Sequence, residues 1–175
     1  MSEEVKQEMS RLRTNQTCIQ QTNLDTEPCQ FKIVSLNCRS LNKHLQDVSK
    51  DSNIKAASVV CFSETRFCSQ DEYCQTDLHG YHQYRQDAKP GSSTTRPYHG
   101  LAVYSVSPFD ECLNLSASNI EVALFKLTHQ PDIVFVALYK PPTVKIKHLC
   151  DVLEDIHQKY TNRSQCVILG DFNID

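Results

Sequence analysis

The sequence predicts an α/β chain whose mixed sheets pack face to face with helices outside. Three observations predict it. A strand–helix–strand order opens the apolar part of the chain, which implies a parallel pair joined by a crossover. Two strand pairs follow with no helix between their members, which implies antiparallel neighbours in the same domain. An amphipathic helix then leads into a last apolar strand.

The elements follow in order. Phe31–Asn37 reads as a buried strand that ends on a polar residue. Leu41, Leu45 and Val48 recur at helical spacing, so a helix of a few turns comes next. Ala57–Phe62 is a second apolar strand running straight into Ser63-Glu64-Thr65. Tyr81–Gln86 alternates like a half-exposed strand, Pro90–Pro97 is a flexible connection, and Leu101–Val106 is the return strand. Ile120–Leu127 and Ile133–Tyr139 form a second pair joined around Gln130-Pro131-Asp132, and Pro141-Pro142 ends the extended run. Ile146, Leu149, Val152, Leu153, Ile156 and Tyr160 then share one face of a helix. The final strand, from Cys166, delivers Gly170 and Asp171.

Composition narrows the function. At 175 residues the expectation is one domain over residues 31–175, with residues 1–30 as a polar, disordered tail. Hydrophobic residues make up 39% and charged residues 22%, the balance of an ordinary globular domain. No stretch approaches the roughly 20 consecutive apolar residues that span a membrane. The start, Met1–Lys6, is acidic and polar, with none of the apolar run that opens a signal peptide, so the protein is expected inside the cell. The sequons at Asn15, Asn114 and Asn162 are then chance matches. The net charge is −3, whereas a sequence-blind nucleic-acid coat would be clearly basic. Nucleic acid therefore enters only as a substrate gripped locally. No feature indicates an obligate protein partner.

Nine cysteines in a chain without an export signal read as free thiols rather than a disulfide framework. Cys61, Cys150 and Cys166 fall within apolar patterns, where cysteine acts as a small hydrophobe. Cys68, Cys74, His79 and His82 are the one cluster to weigh as a zinc site, and their spacings are too loose for paired ligands.

The chemistry concentrates at strand ends. Four apolar strands finish on residues of catalytic type: Asn37, Glu64, Tyr139, and Asp171 with Asn173. Along an extended segment Asp171 and Asn173 would point to the same side, at the strand end where α/β folds tend to place their sites. Glu64 suits Mg²⁺ or Mn²⁺, hard cations held by one or two carboxylates plus water and phosphate oxygens. Asp171 would activate a water, while Asn37, Tyr139 and Asn173 would hold or polarise a phosphate. Singly, each such residue is more often a turn former or a rim residue; the joint occurrence carries the argument.

That set resembles the endonuclease/exonuclease/phosphatase superfamily of DNase I-like proteins. Ile33–Asn37 resembles its first strand, whose Asn sits by the metal and phosphate. Ser63-Glu64-Thr65 resembles its metal-binding Glu motif, and Ala137–Pro142 its Tyr-containing strand end. Leu169-Gly170-Asp171-Phe172-Asn173 matches its Gly-Asp-Phe-Asn motif, and Gly100–Tyr104 is similar to its Gly-rich third strand. Asn37-Cys38-Arg39-Ser40-Leu41, the Tyr-Lys-Pro-Pro step and Gly-Asp-Phe-Asn-Ile-Asp look like the endonuclease domains of non-LTR retrotransposons, which nick DNA and precede a reverse transcriptase.

The resemblance implies a partial four-layer αββα sandwich lacking its C-terminal strands. It covers residues 31–175, roughly two-thirds of a domain of ~220 residues. It implies Mg-dependent hydrolysis of DNA phosphodiesters and, by kinship, access to the nucleus. Arg39, Arg66 and Lys140 follow motif residues and would meet flanking DNA phosphates. The superfamily closes its site with a later Ser-Asp-His motif that this sequence does not contain. The seven histidines here have other contexts: His148 and His157 lie on the amphipathic helix and His99 in a loop, as solvated or structural residues. Weak or absent activity and an exposed sheet edge are therefore expected. The alternatives are an inactive remnant that binds without cutting, a phosphomonoesterase acting on a sugar or inositol phosphate, and a cysteine-rich zinc module.

Overall fold

Pairing of the apolar strands builds two mixed four-stranded sheets in the computed structural model, which describes residues 30–71, 76–87, 99–117, 119–161 and 164–174. The expected tail over residues 1–30, except Gln30, and the connection at 90–97 lie outside the described residues. All the elements belong to one unit, Ile33–Asp175.

The first sheet takes β1 (Ile33–Asn37), β2 (Val59–Ser63), β3 (His82–Gln86) and β4 (Leu101–Ser105) in the order β1-β2-β4-β3. β1 and β2 run parallel with Asn37 opposite Ser63, while β4 is antiparallel to both β2 and β3. Between β1 and β2 lie α1 (Leu41–Val48) and the short α2 (Ser52–Lys55), whose first turn is capped by the Asp51 carboxylate. The central β2, Val-Val-Cys-Phe-Ser, is buried at every position. β1 was expected to be buried too, but it is an edge strand: Ser35 is exposed and Leu36 is 43% exposed. One-sided pairing leaves that flank uncovered.

The second sheet takes β5 (Phe109–Ala117), β6 (Ile120–Leu127), β7 (Gln130–Tyr139) and β8 (Gln165–Asp171) in sequence order. β5, β6 and β7 form an antiparallel meander, and β8 pairs parallel with β7 after the crossover through α3 (Ile146–Ile156). β5 has no counterpart in the sequence pattern. It is an edge strand with seven of its nine positions exposed, so nothing in Phe-Asp-Glu-Cys-Leu-Asn-Leu-Ser-Ala had to alternate.

Alternation sorts each strand's residues into two layers. Val60, Phe62, Ala102 and Tyr104 meet Leu41, Val48 and Ile54 of α1 and α2 on one outer face. Val122, Val134, Val136 and Leu138 meet Leu149, Val152 and Ile156 of α3 on the other. The alternate residues, Val59, Cys61, Leu101, Val103, Phe125, Phe135 and Ala137, are buried between the sheets. There the Phe109, Phe125 and Phe135 rings follow one another at 5.5 and 5.2 Å. Each large side chain so buried contributes on the order of 2 kcal/mol. The result is a layered αββα sandwich.

The α3 face runs as expected through Ile156, but the chain then enters a π-helical turn, His157–Thr161. The wider turn rotates Tyr160 off the stripe, and it is 40% exposed. Cys150 and Cys166, expected among buried residues, are exposed: Cys150 lies beside the apolar face of α3 and Cys166 near the start of edge strand β8. Among the described residues no helix is long and apolar enough to cross a membrane.

Burial pushes the Cys61 and Cys38 thiols from 9.0 up to about 12. The folded chain then holds these protons more tightly than the unfolded chain. Stability from the two thiols is complete below pH 9 and is lost as the pH rises from there towards 12, at about 1.4 kcal/mol per pH unit for each. Urea midpoints are expected to fall between pH 8 and 10.5, and to fall less in Cys61→Ala. An unchanged midpoint in the wild-type chain would show that neither thiol is desolvated.

Candidate active site

The two parallel pairs end side by side. Register sets Asn37 opposite Ser63 in one sheet and Tyr139 opposite Asp171 in the other, so four polar strand ends meet at one rim of the sandwich. Backbone hydrogen bonds extend the first sheet past its strands: Cys38 N–H donates to the Ser63 carbonyl, Ser40 to Glu64, Leu41 to Thr65, Thr65 to Gly100 and Arg66 to His99. These bonds pull the chain out of ordinary geometry. Arg39, Ser40, Glu64, Arg66 and Asn173 all have left-handed φ, between 41° and 102°. Among the described non-glycine residues, only Asn119 shares that conformation away from the rim. Such strain gathers where surrounding structure enforces a functional geometry.

One amide organises the cluster. Asn37 Nδ2 donates to Glu64 Oε1 at 2.9 Å and to Asp171 Oδ2 at 2.7 Å. Asn37 Oδ1 accepts the Arg39 N–H at 3.2 Å, which fixes which end of the amide faces the carboxylates. The Tyr139 hydroxyl donates to the same Glu64 oxygen at 3.1 Å. Burial, the Glu64 charge and hydrogen bond, and the charges of Asp171 and Glu121 all raise the Tyr139 phenol above its ordinary 10.0, so it stays a donor.

The structure therefore joins Asn37, Glu64, Tyr139 and Asp171. Asn173 stands beside them with its amide turned elsewhere: Nδ2 donates to the Lys140 carbonyl at 2.9 Å and its N–H to Asp171 Oδ1 at 3.2 Å. The expected alternation fails because β8 ends at Asp171 and Asn173 has φ 41°. Lys140 is a second correction. It is 3% exposed, and its ammonium donates to the carbonyls of Pro141 and Val144, so it braces the turn into α3 instead of facing a DNA phosphate. Arg39 is exposed on the loop after β1, and Arg66 is half-buried after β2.

Two further residues belong to the rim. Glu121 accepts the Gly100 N–H on Oε2 at 2.8 Å and lies opposite Tyr139 in register. Its cue was a carboxylate near the start of an otherwise apolar strand. The His99 ring packs against Tyr139 with centroids 5.7 Å apart, and no pattern in the sequence marked it. Cys38 adjoins the cluster but keeps its proton, donating from Sγ to the Ser63 carbonyl, so it offers no thiolate nucleophile.

Among the described residues no group of three or more His, Cys, Asp or Glu is placed to hold an ion. Two carboxylates hydrogen-bonded to one amide do suit a hard cation that completes its shell with water and phosphate oxygens. Cys68, from the weighed zinc set, instead donates to Asp71 Oδ2, and Cys74 lies outside the described residues.

No protein-family model matches the sequence, and no curated protein matches it. Solved structures do. An AP endonuclease from Archaeoglobus fulgidus superposes with TM-score 0.63 at 18% identity, over 83% of this chain and 58% of that one. The Neisseria 3′ phosphatase NExo, held with a product DNA hairpin, gives 0.60 at 16% identity, over 82% and 58%. The human Nocturnin catalytic domain, with a bound sulfate, gives 0.52 at 15% identity, over 83% and 64%. The chain thus spans less than two-thirds of the length of each. Its two mixed sheets with their outer helices have the DNase I-like fold that these structures share.

Proposed function

We propose that this chain carries the catalytic face of a divalent-metal-dependent hydrolase of DNA phosphodiesters, of the type found in non-LTR retrotransposons. One observation carries the reading: the Asn37 amide ties Glu64 to Asp171 while the Tyr139 hydroxyl adds a protonated donor to the same group. Glu64, with water, would hold Mg²⁺, or Mn²⁺ in its place. When bound, the ion neutralises charge on phosphate oxygens. Asp171 accepts the proton of the attacking water, its orientation set by Asn37 Nδ2 and the Asn173 N–H. Asn37 gives both of its N–H groups to Glu64 and Asp171 and so positions the two carboxylates, while the Tyr139 hydroxyl, turning from Glu64, offers an O–H for charge developing on the phosphate.

The retroelement assignment draws its support from Tyr-Lys-Pro-Pro and Gly-Asp-Phe-Asn-Ile-Asp in the sequence. Work on chromosomal DNA would place the protein in the nucleus. A phosphomonoester reading has one point in its favour, since one structure of this fold is a 3′ phosphatase.

Nicking of supercoiled plasmid and release of 3′-phosphate from a DNA hairpin separate these readings. The expected result is weak Mg²⁺-dependent nicking that EDTA abolishes and that Asp171→Asn lowers at least about 10²-fold. Nicking by Asp171→Asn at the wild-type rate would sink the assignment. Phosphate release without nicking would favour the monoesterase, and binding without either reaction a non-catalytic module.

A further inference from the structure

We infer that His99 is a substrate-contacting residue of this site, its imidazole N–H meeting a phosphate oxygen of the strand beside the one cleaved. The inference rests on the phosphodiester reading above and adds to it a residue that no motif supplied.

Placement is the first argument. The His99 ring lies 5.7 Å from the Tyr139 ring, inclined at 51° to it, on the tyrosine whose hydroxyl is bonded to Glu64. His44 and His148 sit on α1 and α3, in the outer layers.

Rigidity is the second. The backbone at 99–100 is clamped from two sides. The His99 carbonyl accepts the Arg66 N–H at 2.9 Å and the Gly100 carbonyl accepts the Thr65 N–H at 3.1 Å. From the other sheet, Glu121 Oε2 accepts the Gly100 N–H at 2.8 Å. Gly100 has φ 108°, a conformation in which a side chain would be strained, so this clamp needs glycine there.

Chemistry is the third. With its backbone already fixed, His99 has only side-chain freedom to lose on binding, and its exposed ring plays no part in the core. The rest of the cluster is acidic: Glu64, Asp171 and Glu121 all act on Tyr139 and would repel a phosphate that strays from the reacting position. A ring N–H is a donor that tolerates such neighbours and favours phosphate oxygen. Arg85, by contrast, is taken up by Asp87 and the carbonyls of Asp71 and Cys68.

Substitutions at His99 separate its donor from its ring. Binding of a short DNA duplex by the full chain would be followed by fluorescence anisotropy in EDTA, and nicking in Mg²⁺. His99→Phe keeps the ring without a donor and is expected to bind about tenfold more weakly, as is His99→Ala. His99→Asn restores a donor and should recover most of the affinity. Nicking at saturating DNA should change far less than binding. In the wild-type chain the His99 imidazole proton resonances should shift on adding duplex, a readout independent of how the variants fold. Wild-type affinity in His99→Phe, or an unmoved resonance, would overturn the inference. A wild-type chain that neither binds nor nicks DNA would overturn the functional reading instead.

Discussion

Gly170→Ala is expected to detach β8 from β7, and with it Asp171 from the site. A Cβ at Gly170 would stand 1.8 Å from the Leu138 carbonyl oxygen and under 3.0 Å from two more backbone atoms of that residue, far inside contact distance. Gly170 lies opposite Leu138 in the parallel register, so no rotamer relieves the clash and a strand must move. At φ 140° the backbone is also one that a side chain rarely tolerates. A cost above about 4 kcal/mol is expected, a large part of the 5–15 kcal/mol that holds a typical domain together. Urea denaturation would show it as a collapse of the midpoint, and hydrogen exchange as lost protection along β7 and β8. A midpoint within about 1 kcal/mol of wild type would mean that the two strands do not approach as described.

Glu64 should separate stability from activity. Its φ of 53° places a side chain in the left-handed region, where L-residues lose roughly 1 kcal/mol that glycine does not. Glu64→Gly removes that strain along with the carboxylate, and Glu64→Ala removes the carboxylate alone. Both should cut metal-dependent nicking by about 10²–10⁴-fold. Glu64→Gly should nevertheless unfold several degrees above Glu64→Ala, because both lose the acceptor for Asn37 and Tyr139 and only glycine relieves the strain. Equal melting of the two variants would remove strain from the description of the rim. Nicking by either at the wild-type rate would remove Glu64 from the chemistry.

The sequence made plain what burial enforces. A run such as Val-Val-Cys-Phe-Ser reads as a buried strand, and the stripe from Ile146 to Ile156 reads as a helix face turned to the core. The polar residues that end those elements were legible for the same reason, because a run of obligatory apolar positions makes the first departure conspicuous. Gly170 was readable as part of a motif, though its reason, the Leu138 carbonyl against its α-carbon, needed the register. Edge strands were the blind spot. β5 buries so little that its sequence carries no period, and β1 looked buried because an apolar strand does not announce that one flank is open. Asn173 and Lys140 misled because side-chain direction depends on where extended backbone stops: two residues past Asp171 the chain has already turned, and Lys140 folds back onto the carbonyls of Pro141 and Val144. His99 left no trace, since it gains its place from Arg66 and from Glu121 acting through Gly100, contacts that exist only once the sheets have met.

The hydrogen bond from Asn37 to Asp171 joins residues 134 apart in sequence. Its two ends lie on different sheets, each of which must first close its own parallel crossover. Contacts of this reach are slow to form, because the entropy of closing the intervening chain is lost before they can repay it. On a ribosome, Asn37 and Glu64 emerge long before Asp171, so the earlier carboxylate waits without its partner until β8 has been made. The same amide that holds the two acids together thereby reports that both crossovers have closed: β1 and β2 alone bring one carboxylate, but no place for a phosphate.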